Sequence, residues 1–97
     1  MSSEKSLQDK VIEYLKSKDI YTINVYGAGY TAKGAPDLIA SIKGRFVAFE
    51  LKVGKNTMDP AQIIHSKRIK RSGGLHFTPY TFNEAKTIID KLLATGG

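Results

Sequence analysis

The chain has 97 residues, 41% of them apolar, and a net charge of +6, which describes one small domain with a single core and no room for a second. No apolar run approaches the roughly 18 residues a membrane span needs, and no charged-then-apolar leader opens the chain. The absence of cysteine excludes disulfides and thiolate metal sites, and an intracellular, cytoplasmic setting fits, whether in a cell's own complement or as a viral or phage-encoded protein in a host.

In chain order, residues 4–18 predict a helix, with Leu7, Val11, Tyr14 and Leu15 on one face, Ser3 as N-cap and Glu4 at the edge of that inward stripe. Residues 20–26, rich in β-branched and aromatic side chains, predict a strand, and residues 27–36 a glycine-rich loop. Residues 37–42 and 45–53 predict two strands joined by a two-residue turn, Lys43-Gly44. The second of them is apolar on both faces and should be a central, covered strand. Asp59-Pro60-Ala61-Gln62 predicts a helix start: Asp59 as N-cap, Pro60 at N1, Gln62 closing a capping box, and Met58 with Ile63 as a hydrophobic staple. Gly73-Gly74 ends that helix, which Ile63, Ile64 and Ile69 should anchor to the sheet. A strand over 75–80 follows. Thr81 and Glu84 form a second capping box, and a last helix carries Ala85, Ile88, Ile89, Leu92 and Leu93 inward before Gly96. The order α-β-β-β-α-β-α predicts an α/β fold, a mixed sheet with helices packed on it, forming one domain over 1–97.

The turn fixes a register. With Lys43 and Gly44 as the loop, Asp37 falls opposite Glu50, their Cβ atoms about 5 Å apart on one face, and Lys52 shares that face. Two opposed carboxylates repel unless something compensates. The apolar flanks Leu38-Ile39-Ala40 and Phe46-Val47-Ala48-Phe49 argue against an exposed face, so the charges need a partner. Mg2+ is the natural one: a hard cation held by one or two carboxylates that keeps water and phosphate oxygens as its remaining ligands. The Lys52 ammonium beside it can orient a water, lower its pKa or stabilise charge on phosphorus. The plainer reading makes Asp37 a turn residue and Glu50 and Lys52 part of a solvated strand face.

These residues carry a resemblance. Gly34-Ala35-Pro36-Asp37-Leu38-Ile39, then Glu50-Leu51-Lys52, then Asp59-Pro60-Ala61-Gln62 resembles the PD-(D/E)XK nuclease superfamily, and within it the stand-alone virus-type replication-repair nuclease (VRR-NUC) domains. The resemblance spans nearly the whole chain and implies a restriction-endonuclease-like αβββαβ core with a mixed four-stranded sheet. It implies that Asp37, Glu50 and the backbone carbonyl of Leu51 bind Mg2+, with Mn2+ able to substitute, and that Lys52 serves the water. Glu4 and Gln62 complete the site by the same resemblance, although a first-turn Glu also complements the helix dipole and Gln62 is also a cap residue. It further implies a homodimer that cuts branched DNA as Holliday-junction resolvases do, leaving 5′-phosphate and 3′-hydroxyl ends. Flap or restriction cleavage on the same chemistry, a non-catalytic nucleic-acid-binding module and a structural protein with a basic face are the alternatives.

Charge placement points to the same polyanion. Residues 43–71 hold Lys43, Arg45, Lys52, Lys55, Lys67, Arg68, Lys70 and Arg71 against Glu50 and Asp59, and the rest of the chain is neutral. Lys33, Lys55, Lys67, Arg68, Lys70 and Arg71 are the candidate phosphate-binding residues, which give affinity without sequence readout. Gly27-Ala28-Gly29-Tyr30-Thr31-Ala32 has a dinucleotide-like spacing, but Gly34 and Pro36 prevent the helix that motif needs, and Lys33-Gly34 lacks the P-loop order. His65 and His76 lack metal-ligand spacing. The five tyrosines, Tyr26 and Tyr30 beside the loop among them, do not form a base-stacking platform. The dimer surface is expected around Ile63 to Leu75 and the exposed part of the third strand.

Overall fold

The computed structural model describes residues 4–25 and 32–95. Ser3, Tyr26, Tyr30, the first half of the glycine loop and Gly96 lie outside the described residues. Among the described residues, three helices and four strands follow the expected order: α1 Glu4–Ser17, β1 Thr22–Asn24, β2 Leu38–Ile42, β3 Arg45–Phe49, α2 Pro60–Arg71, β4 Leu75–Phe77 and α3 Phe82–Ala94. The sheet runs β1-β2-β3-β4, antiparallel except for the parallel β3–β4 pair, so it is mixed.

The β2–β3 hairpin closes as expected. Lys43 (φ 53°) and Gly44 (φ 78°) both take positive φ, as a type I′ turn requires, and Leu38 pairs with Phe49 and Ile42 with Arg45. Alternation then sends Leu38, Ala40, Ile42, Val47 and Phe49 to one face, where they meet Leu7, Val11 and Leu15 of α1 and Ala85, Ile89 and Leu92 of α3 in one core.

Several boundaries differ from expectation for identifiable reasons. The third strand ends at Phe49 rather than residue 53: past Leu38 the partner backbone reaches Asp37 and then Pro36, which has no N–H to continue the ladder. On its other side the chain stays extended, with the Glu50 and Lys52 N–H groups donating to the carbonyls of Phe77 (2.9 Å) and Pro79 (3.2 Å). The last strand stops at Phe77, short of residue 80, since Pro79 has no N–H to continue a ladder. The second capping box is half formed. Thr81 caps Glu84 N, but the Glu84 carboxylate accepts from Tyr80 N (2.6 Å), one residue farther back. The isoleucine anchoring of α2 is also corrected: Ile63 and Ile64 are 39% and 57% exposed, and the buried residue of α2 is Ser66. Its first turn instead rests on Gly34, whose missing side chain lets the Ala61 backbone approach. A Cβ there would lie 2.5 Å from the Ala61 carbonyl carbon. Ile69 packs where a Cβ on Gly74 would meet both it and Phe46.

Candidate active site

The site sits where β2 begins and β3 ends, with the first turns of α1 and α2 beside it. Asp37 is half-buried. Its backbone is pinned twice, its N–H donating to Phe49 O (3.0 Å) and its carbonyl accepting from Val25 N (2.9 Å). Its Oδ2 accepts the Leu51 N–H at 2.9 Å, so the side chain stands where a further β2 carbonyl would otherwise close the ladder. This bond fixes one carboxylate oxygen and ties Asp37 to the middle of Glu50-Leu51-Lys52.

Glu50 is 3% exposed, and its Oε1 is buried with no hydrogen-bond partner. Burial, then the Asp37 charge, then a hydrogen bond with Asp37 push its carboxyl up to about 8, against an opposing pull from Lys52 and a further push from Glu4. A buried, unpartnered carboxylate oxygen beside a second carboxylate is costly in the protein alone. The donor set fits a hard divalent cation: two neighbouring carboxylates, one of which keeps a buried oxygen without a partner. Among the described residues no group of three His, Cys, Asp or Glu side chains comes together to hold a metal. Water and backbone oxygen such as the Leu51 carbonyl would complete a shell here, in the manner Mg2+ favours.

Lys52 is 8% exposed, and its Nζ donates to Gln62 Oε1 at 2.9 Å. That oxygen also accepts the Asp59 N–H at 3.0 Å, while Asp59 Oδ1 accepts the Gln62 N–H at 3.0 Å. Gln62 therefore closes the capping box and holds the lysine with the same atom. Glu4 is exposed at the start of α1, and its carboxyl is raised by burial first and then by Asp37, with Lys52 lowering it. Those couplings place it at the rim of the same cluster.

The structure thus gathers Asp37, Glu50, Lys52 and Gln62 and brings Glu4 alongside. The candidate phosphate-binding residues are spread over exposed positions around that cluster. Lys33 and Lys55 are exposed on the loops before β2 and after Lys52. Lys67, Arg68, Lys70 and Arg71 are exposed along α2, whose last residue lies about 13 Å beyond Gln62 at 1.5 Å per residue. Arg68 and Arg71 line an open hollow of about 480 Å³ with His65, Ile69 and Ser72. His76 is buried, and burial, followed by the charges of Lys70 and His65, lowers its pKa. Two contributors are not apparent from the sequence. Gly34 reads there as loop chemistry, because only the folded chain shows what lies against it. Asp59 reads as a cap alone, although its spacing to Gln62 is visible.

A solved structure described as "VRR_NUC domain" superposes on this chain with a TM-score of 0.77, covering 93% of this chain and 97% of its own, at 22% sequence identity. The fold is similar to that of a VRR-NUC domain. No family model matches the chain, and no curated protein does. The likeness spans 93% of the chain, and the four-stranded sheet is mixed, as the element order leads one to expect.

Proposed function

We propose that the protein is a metal-dependent deoxyribonuclease, structure-selective for branched DNA, working from Asp37, Glu50 and Lys52. The observation that carries this reading is the unpartnered, buried Oε1 of Glu50 beside Asp37, with the Lys52 ammonium held in the same cluster. The likeness to a VRR-NUC domain supports a nuclease-type fold. Asp37 and Glu50, with the Leu51 carbonyl, would hold Mg2+, with Mn2+ as a substitute. The ion supplies Lewis-acid polarisation of the scissile phosphate.

The chain's own residues then have distinct tasks. The Leu51 N–H keeps Asp37 from rotating away, leaving Oδ1 for the site. Lys52, aimed by Gln62, donates to the attacking water or to a non-bridging phosphate oxygen as charge builds there. Water loses a proton to solvent and adds to phosphorus, the P–O3′ bond breaks, the leaving O3′ takes a proton from solvent to become the 3′-hydroxyl, and the 5′-phosphate stays on the downstream fragment. Exposed basic side chains on α2, with Lys33 and Lys55, hold flanking phosphates. A homodimer would present two such sites to the two strands of a four-way junction. Exposed Ile63, Ile64 and Phe46 support pairing through α2 and the neighbouring strand. The test is a panel of duplex, flap, fork and four-way junction DNA with Mg2+ or EDTA. Metal-dependent cutting strongest on the junction is expected; metal-dependent cutting that prefers flaps would leave the site standing and remove the junction role.

A further inference from the structure

We propose that Asp59 is a positioning residue for Lys52, acting through Gln62, so that the α2 cap is the clamp that aims the site's ammonium. The proposal rests on the nuclease reading for its functional consequence and on hydrogen bonds for its geometry.

An amide oxygen accepts two hydrogen bonds. Both neighbours of Gln62 Oε1 are donors, Lys52 Nζ at 2.9 Å and Asp59 N at 3.0 Å, so both places are filled. A flipped amide would set its NH2 against two donors, which fixes the orientation without ambiguity. The bond to Gln62 is the hydrogen bond the structure gives the buried Lys52 ammonium. Four rotatable bonds lie between that ammonium and its backbone, so its position depends on where Gln62 holds it.

Gln62 in turn depends on the first turn of α2. That turn has little core beneath it, since Ser66 is the helix's buried residue. Two contacts hold its N-terminus. One is the Asp59 side chain, which accepts from Gln62 N at 3.0 Å and locks the N3 residue against the N-cap. The other is Gly34 at φ 84°, packed so closely on Ala61 that a Cβ would come within 2.5 Å of its backbone. Asp59 is exposed and touches no reacting group, so its effect on the chemistry passes through Gln62.

The test uses the full chain with 13C-labelled lysine, in three variants: Asp59→Ala, Asp59→Asn and Gly34→Ala. Asp59→Asn removes the charge and keeps a capping oxygen. The first readout is the mobility of the Lys52 ε-methylene by 13C relaxation, measured without metal or DNA. The second is kcat and KM on a Mg2+-supported DNA substrate. Asp59→Ala and Gly34→Ala should loosen the methylene and lower kcat on the order of ten-fold, with KM little changed, as misplacement of a catalytic group does. Asp59→Asn should restore both. A methylene as ordered in Asp59→Ala as in the parent overturns the proposal, as does an Asp59→Asn that behaves like Asp59→Ala. A chain that cuts no DNA but loosens Lys52 in Asp59→Ala, and not in Asp59→Asn, upholds the clamp and defeats the nuclease reading.

Discussion

Glu50 is the residue on which the metal-free protein is least comfortable. Its carboxyl is raised to about 8 by burial and by Asp37, whereas an unfolded chain would hold it near 4.3. A raised acid contributes stability that is complete below the unfolded value and lost as pH rises through the folded one. In EDTA, the melting temperature should therefore fall between about pH 5 and pH 8 by several degrees. Glu50→Gln should flatten that fall, as followed by circular dichroism across the range. Asp37→Asn should likewise raise the metal-free melting temperature above pH 7, because its amide oxygen can still accept from Leu51 while the repulsion is gone. That Asp37 and Glu50 meet is legible in the sequence, since a two-residue turn and period-2 alternation leave one partner for each position. The site role of Gln62 enters the sequence reading only through the family resemblance, since a capping box and a lysine clamp need the same residue type at the same place.

At the scale of elements, the hairpin and α2 contrast in what their sequences disclose. Lys43-Gly44 announces a turn with positive φ at both positions, and the hairpin has it. Gly44 has nothing within 4 Å of where a Cβ would stand, so Gly44→Ala tests the backbone alone. The left-handed conformation should cost about 1 kcal/mol, a fall in melting temperature of roughly 5 °C for a domain this size. The anchoring of α2 misleads, because three isoleucines suggest an inward stripe. Of the three, Ile69 packs by Gly74 and Phe46, while Ile63 and Ile64 are exposed; the first turn instead rests its Ala61 backbone on a glycine, which carries no hydrophobic signature. With α2 so exposed, its basic side chains are free for phosphate. Replacing Lys67, Arg68, Lys70 and Arg71 with Gln should weaken DNA binding for every sequence. It should also flatten the salt dependence by roughly one unit of slope for each phosphate left without its cation. An unchanged slope in a fluorescence titration would mean that this helix faces away from the DNA.

For the whole molecule, the core runs along one face of the hairpin as far as Leu38, Phe49 and Leu51, directly beside the candidate site. α1 and α3 cover one face of the sheet, and the carboxylates gather at the strand ends where pairing stops. The order and the mixed sheet follow from hydrophobic periods and turn residues, because each element carries its own local signal. Assembly has no such signal, since an exposed Ile64 or Phe46 looks the same in a monomer as in a dimer. Sedimentation at micromolar concentration should give about twice the 10.7 kDa chain mass. A clean monomer would remove the two-strand geometry and leave the single site intact. The central claim, that Asp37 and Glu50 form a metal-dependent phosphodiesterase site, is tested most directly by DNA cleavage in Mg2+ set against cleavage in excess EDTA. The parent chain is compared in that assay with Asp37→Ala and Glu50→Ala. Cleavage by the parent in Mg2+ alone, with neither variant cutting although both bind DNA within a few-fold, is the predicted result. Cleavage that persists in EDTA, or in either variant, would contradict it.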